Sequence, residues 1–451
     1  MYEPLYSADE MRAAEARYPG FPATADELME RAGAAVATEA LRSFPEARRF
    51  AVVCGKGANG GDGRIAVRLL REAGRDAEET DDLSGTDVVV DALFGTGFRG
   101  APRPEAAALI ERIGASGLPV LSVDLPSGVD ASTGEVAGTA VQADVTVTFH
   151  GAKVGLAVAP GRFHAGRVVV ADIGLEPAVT AIVHATPGVL SLVPRRGVRD
   201  SKFTSGALLV VGGAAGTTGA PVLTATAALR ADAGYVTVAV PDEALPVVET
   251  LALEPVKRGF GYASALDTLG PDLERASALA IGPGLGRSDE ARAVVRSLLE
   301  VAAVPAVVDA DALFGLEPVA REAATVLTPH AGELARLLDT DSAWVAAHRL
   351  EAAARCSERF GAVVVLKGAD TIVRAPDGQT VVCDTGPPSL ATAGTGDVLT
   401  GVLGAFLAKG LAATDAAVAA AVAHGLAARA APHQAGLIAS DVVEALPSVL
   451  S

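Results

Sequence analysis

The chain has 451 residues, of which 50% are hydrophobic and only 4% aromatic, and its formal net charge is −17. That length predicts two or more domains, and a core made of Ala, Val and Leu fits α/β architecture with buried parallel strands. The acidic balance argues against a nucleic-acid or anionic-membrane surface, either of which needs a basic stripe. Cys54, Cys356 and Cys383 lie far apart and show neither metal spacing nor a disulfide framework, so a reducing cytoplasmic location is expected. The start, Met1-Tyr2-Glu3-Pro4-Leu5, reads as no signal peptide. The apolar run 412–431 is broken by Asp415, His424 and Arg429, which predicts a buried helix rather than a membrane span.

In chain order, Ser7-Ala8-Asp9 opens an amphipathic helix, with Ser7 or Asp9 as its cap, and Thr24 to Leu41 is a second. Phe50–Cys54 is a buried strand that runs through Gly55–Gly63 into a helix predicted over 64–74. A strand, a glycine-rich turn and a helix can cradle phosphate, although the spacing is not a plain dinucleotide fingerprint. Asp87–Asp91, Leu118–Asp124 and Ala143–Phe149 are the next strands. They end in Ala92–Gly100, Leu125–Asp130 and His150–Lys153. Asn59, Asp91 and Asp124 thus recur at the C-terminal edge of one sheet, where open α/β sheets bind ligands, and Lys153 at that edge favours an anion contact.

The motifs Gly57-Ala58-Asn59-Gly60-Gly61-Asp62-Gly63, Asp91–Gly97, Asp124–Gly128 and Thr148–Lys153 together resemble the NAD(P)H-hydrate epimerase domain, over most of residues 1–180. The family has two asparagines before its Gly-Gly-Asp-Gly; here Ala58 takes the first place. The resemblance implies potassium near Asn59, Asp91 and Ser127. It also implies substrate contacts from Ala58, Asn59, Gly60, Gly61 and Asp62, from Gly95, Thr96, Gly97, Phe98, Arg99, Gly100 and Ala101, and from Asp124. Asp124 and, less directly, Lys153 are the catalytic candidates.

Val168–Ile173 is the last strand expected before Pro187, Pro194 and a run of basic residues break the periodicity. Domains are therefore expected over 1–185 and 200–451, with a linker over 186–199. The second starts with the strand Ala207–Val211 and the helix 221–233. Strands follow at Tyr235–Val240, Leu279–Ile281 and 306–313. Thr325–Glu333 reads as a strand, a turn and a helix start, and Val363–Thr371 as a strand and hairpin with Lys367 at the turn. The apolar helix Val398–Leu407 comes after Ala391-Thr392-Ala393-Gly394-Thr395-Gly396-Asp397. Glycines at a helix start leave outward-facing amides for an anion. Asp397 beside them can serve as a helix cap or accept the proton of a hydroxyl that attacks a phosphoryl group.

Gly219-Ala220, Gly282–Gly286, Asp309–Leu313, Thr328–Glu333, Lys367-Gly368 with Thr371, and Ala393–Asp397, in that order, are similar to the ADP-dependent NAD(P)H-hydrate dehydratase. The chain thus resembles a bifunctional hydrate-repair family with two three-layer α/β/α domains, Rossmann-like and then ribokinase-like. The resemblance implies hydrate contacts from Ala220, Gly284, His330 and Asp397. It implies ADP contacts from Lys367, Gly368, Ala369, Asp370, Thr371, Gly394, Thr395 and Gly396. The implied substrates are NADHX and NADPHX (the hydrates) and ADP. R and S hydrates are interconverted, and the S form is dehydrated with release of AMP and phosphate. Magnesium is implied at the phosphates, and a homo-oligomer is expected. The rival readings are a vitamin-precursor kinase of the same fold with an accessory domain, and a nucleotide-binding scaffold without turnover.

Overall fold

The computed structural model describes residues 1–451 and divides into two compact units. One comprises Pro4–His184 with Ala346–His348. The other comprises Met1–Glu3, Ala185–Val345 and Arg349–Ser451.

The unit built on Pro4–His184 has six parallel strands in the spatial order 76–79, 49–54, 88–92, 120–123, 145–149 and 167–171. Numbered along the chain this is 2-1-3-4-5-6, a doubly wound order. Its switch point falls between Arg49–Cys54 and Val88–Ala92, and the crevice opens at their C-terminal ends. The central strands are apolar because both faces are covered: Val88, Val89 and Val90 are all buried. The edge strand Asp76–Glu79 went unread because three of its four residues are acidic, and pairing with Arg49–Val52 makes it a strand. Of the two cap candidates, Ser7 closes the first helix. Its Oγ accepts from the Glu10 amide, and its own amide donates to the Glu10 carboxylate at 2.8 Å.

One boundary is corrected. The helix expected over 64–74 runs from Ala58 to Glu72, so Asn59–Gly63 are helical rather than loop. A Cβ on Gly60 would lie 1.9 Å from the Gly55 carbonyl oxygen. Glycine here lets the helix start press against the strand end, so its loop-like composition is a packing requirement.

In the second unit nine strands lie in the order 380–383, 371–374, 363–366, 325–327, 306–308, 278–281, 207–211, 235–241 and 256–260. The two pairings that join 363–366, 371–374 and 380–383 are antiparallel and the rest parallel. Its switch point lies between Ala207–Val211 and Ala278–Ile281, whose ends carry the two glycine-rich loops. Helix Thr395–Ala408 is buried along most of its length and packs closely on helix Gly219–Arg230. Small residues set that distance: a Cβ on Gly401 would lie 2.1 Å from the Thr224 carbonyl oxygen.

Two expectations shift here. The strand expected over 306–313 stops at Val308, and Ala310, with φ of 52°, turns the chain into a short 3-10 helix. Residues 186–199 are not a free connector throughout: Pro187–Leu192 forms a 3-10 helix with Val189 and Leu190 buried, and the wholly exposed run is 194–204. No helix is long and apolar enough to cross a membrane.

Candidate active sites

In the unit built on Pro4–His184, Asp124 follows the strand Val120–Val123 with φ of 67°, a left-handed conformation that Asp tolerates better than most residues. Its carboxylate is buried. Oδ1 lies 2.8 Å from Lys153 Nζ and accepts from Thr148 Oγ1 at 3.1 Å, while Oδ2 accepts from the Thr96 amide at 3.1 Å. Lys153 is itself fully buried and also donates to the Phe149 carbonyl at 2.7 Å. Backbone bonds from Tyr6 to Ala152 and from Val154 to Tyr6 fix its position.

Ala58, Asp62, Thr96, Asp124 and Lys153, all expected from the sequence, line one cavity of about 200 Å³. Glu15 lines it too and had no sequence signal beyond its place on an amphipathic helix. Burial, then the charges of Asp124 and Glu15, push the Asp62 carboxyl up to about 8, against the pull of Lys153. Burial, then Asp124, raises Glu15. Within the expected loop 95–101, Phe98 stacks on Phe94 at 4.8 Å, while Gly97, Arg99, Gly100 and Ala101 are exposed. Asn59 and Asp124 converge on Gly95: a Cβ there would meet Asn59 Oδ1 at 2.9 Å and Asp124 Oδ2 at 3.1 Å.

The expected ion site is more occupied than its composition suggests. Asn59, Asp91 and Ser127 offer oxygen atoms, which suit a hard cation. Asp91, however, accepts from Leu93 N and Ser127 Oγ on one oxygen and from Ser122 Oγ and Ser127 N on the other. Four donors fill a carboxylate's acceptor positions, so Asp91 fits a clamp on the loop after Val120–Val123. The amide nitrogen of Asn59 is buried without a partner.

In the second unit the helix Thr395–Ala408 has Gly394 as its N-cap, with φ of 89° and no side-chain cap. Asp397 is the third helical residue, so the cap reading of Asp397 is corrected. The amides of Gly396 and Asp397 stay open because they belong to the first turn. Thr395 turns its hydroxyl inward to the carbonyls of Leu390 and Thr392, each at 2.8 Å. Of the expected hydrate contacts, Ala220 and Gly284 meet: the Ala220 methyl lies 3.2 Å from a Cβ built on Gly284, and Thr217 Oγ1 donates to the Gly284 carbonyl at 2.7 Å. Thr224 Oγ1 reaches the Asp397 carbonyl at 3.1 Å, which ties this helix to the Gly394–Asp397 turn.

The other wall is acidic around one cation. Lys367 Nζ lies 2.8 Å from Asp309 Oδ1 and 3.9 Å from Glu333 Oε2, and 3.5 Å from a Cβ built on Gly396. Thr400 Oγ1 takes the other Asp309 oxygen at 2.7 Å. Burial works to raise Asp309, but the charge and hydrogen bond of Lys367 with Thr400 and Thr328 outweigh it and hold Asp309 low. Asp397 has no such donor; burial, then Asp309, pushes it up to about 7.

His330 caps helix Ala331–Leu337, its Nδ1 accepting from Gly332 N at 3.0 Å, and burial lowers its pKa. The expected ADP contact Asp370 is buried and paired with Arg349 at 3.0 Å, so its side chain locks the hairpin instead. Lys367 turns into the acid cluster, whereas Gly368 and Ala369 are exposed and Thr371 Oγ1 donates to the Gly368 carbonyl. Asp309 and Glu333 stood inside recognised motifs, but only the fold gives them a shared partner.

Residues 208–448 match the family described as NAD(P)H-hydrate dehydratase, and residues 25–78 and 74–155 match the YjeF-related protein N-terminus. The chain is similar to the bifunctional NAD(P)H-hydrate repair enzyme Nnr of Moorella thermoacetica, at 39% identity over 94% of this chain and 92% of that protein. It is similar to its namesake in Escherichia coli at 35% over 94% and 89%. The ADP/ATP-dependent NAD(P)H-hydrate dehydratase of Bacillus subtilis, co-crystallised with ATP/Mg2+, is similar at a TM-score of 0.55 and 28% identity, covering 59% of this chain and 96% of that one. A ribokinase-like superfamily protein of Enterococcus faecalis, at a TM-score of 0.53 and 22% identity, shares the fold. With two sheets, two sites and relatives matched along nearly their whole length, this chain belongs to the family of bifunctional NAD(P)H-hydrate repair enzymes.

Proposed function

We propose that this chain returns hydrated NADH and NADPH to use by epimerising the R and S hydrates in the unit built on Pro4–His184 and dehydrating the S hydrate in the other, with ADP as phosphoryl donor. The observation that carries the second step is Asp397: an unpaired carboxyl with a pKa near 7, beside the open amides of a glycine N-terminus.

Hydroxide is a poor leaving group. Asp397 takes the hydrate's hydroxyl proton as the oxygen attacks the terminal phosphorus of ADP and the bond to AMP breaks. The amides at Gly396 and Asp397 hold the phosphoryl oxygens. The carbon–oxygen bond of the phosphoester then breaks, the neighbouring carbon loses its proton to the departing phosphate, and the ring double bond returns. Ala220 and Gly284, which have little bulk, form the wall against the hydrate. Gly368 and Thr371, at the hairpin after Val363–Leu366, face the nucleotide. Magnesium, when bound, neutralises charge on the phosphates, and Asp397 is the carboxyl at this site that no protein donor engages. In the epimerase cavity Asp124, held by Lys153, does the polar chemistry. Asp91 gives its acceptor positions to protein donors, so no step is assigned to potassium.

Incubating the purified chain with chemically prepared hydrate epimers and ADP tests the reading: NADH regained, AMP and phosphate appear in equal amounts, and both epimers are consumed. Accumulation of a stable phosphoester, or loss of one epimer only, would contradict it.

A further inference from the structure

The cavity that holds Asp124 contains more acid than its one lysine can balance. Asp62, Glu15 and Asp124 all line it, and Lys153 is the only cation among the lining residues. Lys153 stands 2.8 Å from Asp124, so its compensation goes there. The rest of the wall is largely apolar, with Met11, Phe21, Leu28, Phe149 and Ile173 among it. Further ionised carboxylates in such a wall are costly unless paired. Asp62 is buried, and no protein donor reaches its carboxyl; Glu15 is less buried. Asp62 projects from helix Ala58–Glu72, whose start is fixed by the close approach of Gly60 to Gly55, so its position is rigid.

We propose that Asp62 is the acid of epimer exchange: a carboxyl kept protonated so that it can release the hydroxyl from one face of the ring, while Asp124 takes a proton from the water that returns on the other. The proposal rests on the epimerase reading of this cavity. The requirement comes from the substrate. Water adds across the enamine double bond of a dihydronicotinamide and leaves the hydroxyl on the carbon bonded to the ring nitrogen. The nitrogen lone pair forms a carbon–nitrogen double bond as the carbon–oxygen bond breaks, and the Asp62 proton joins the leaving oxygen to give water. Water then adds to the opposite face. A new carbon–oxygen bond forms, the double-bond pair returns to nitrogen, and the surplus proton passes to Asp124. Nothing is oxidised or reduced, and passage of the proton from Asp124 back to Asp62 through water in the cavity resets both carboxyls. Burial and the neighbouring carboxylates, which raise Asp62 to about 8, agree with a group that is protonated at neutral pH.

The test uses the full chain and hydrate epimers, with the spontaneous exchange rate subtracted. Asp62→Asn should lower kcat for exchange roughly 100-fold, the scale of a lost general acid, with KM little changed. Asp62→Glu should recover part of it, and Glu15→Gln should cost less than Asp62→Asn. Wild-type exchange should decline above about pH 8 as Asp62 ionises, and that limb should be absent from the residual rate of Asp62→Asn. The infrared difference spectrum of wild type minus Asp62→Asn at neutral pH should show a protonated-carboxyl band, a readout independent of turnover. A rise in KM at unchanged kcat, a larger loss from Glu15→Gln, or an ionised Asp62 at neutral pH would overturn the proposal while leaving the epimerase reading intact. Wild-type exchange no faster than the spontaneous rate would instead overturn that reading and the proposal with it.

Discussion

Lys367 Nζ lies 2.8 Å from Asp309 Oδ1, and that pairing decides which acid of the dehydratase site can take up a proton. Asp309 is held ionised by the lysine and by Thr400. Asp397, beside them but without a donor, is raised to about 7, by burial first and by Asp309 second. One lysine thus separates two neighbouring carboxyls into a fixed anion and a titrating base, a pattern that assigns acid–base roles.

Replacing that lysine should expose the arrangement. Lys367→Met removes the one charge that lowers Asp397, so the acid limb of the dehydration rate should move to higher pH. It also strands Asp309 in the interior. The thermal midpoint should fall by an amount corresponding to ~3 kcal/mol, the low end for breaking a buried pair. Calorimetry and a pH–rate profile check the two effects separately, and an unmoved limb would remove Lys367 from control of Asp397.

Asp397 also makes a stability prediction of definite sign. Its folded pKa, about 7, lies above the ordinary aspartate value of 3.8. Between those values the folded state holds a proton that the unfolded state has lost, so this group's contribution falls as pH rises through that window and is fully unfavourable above about 7. Asp397→Asn should therefore melt a few degrees higher than wild type in mildly alkaline buffer, on the order of 1 kcal/mol, and no higher near pH 4. Equal midpoints in both buffers would contradict the raised pKa.

The legible part of this fold was the strand ends. Buried valine runs at 50–54, 88–91 and 207–211 mark parallel strands, and the glycines and acids after them mark the two switch-point crevices. What stayed hidden depends on pairing. Asp76–Glu79 reads as a charged surface stretch and becomes a strand only beside Arg49–Val52. Gly60 reads as loop, and its reason lies at the end of the preceding strand, in the Gly55 carbonyl. At the sites, Asp124, Lys153 and Asp397 could be picked out by their place in motifs. Glu15 is far from them in sequence, and the destination of the Lys367 ammonium is a tertiary fact. Asp370 shows the converse: a motif position that looked ligand-facing is spent on Arg349.

Proteolysis should follow the exposed run rather than the whole expected linker. Trypsin should cut first at Arg195, Arg199 or Lys202, within the exposed residues 194–204, and release fragments that stay folded. Arg196, bonded to the carbonyls of Asp232 and Ala233, should be cut later. A first cut inside 186–193 or inside Gly55–Gly63, or fragments that unfold, would argue against two independently stable units.

Asp124→Asn should slow epimer exchange by roughly 100-fold and leave dehydration of the S hydrate unchanged, because the two reactions are assigned to different units. Chromatographic epimer ratios, followed without ADP, give the first rate, and NADH absorbance with ADP gives the second. Unchanged exchange would remove Asp124 from the chemistry.

The most direct measurement is the turnover of Asp397→Asn alongside its affinity for ADP. Asn keeps the shape of Asp, and the phosphate contacts come from the backbone at Gly396 and Asp397, so calorimetric ADP binding should stay close to wild type. Turnover of the S hydrate should fall by roughly 100-fold or more, the scale of a lost general base. Normal turnover in the variant, or ADP affinity lost in parallel with turnover, would contradict the assignment of Asp397 as the base.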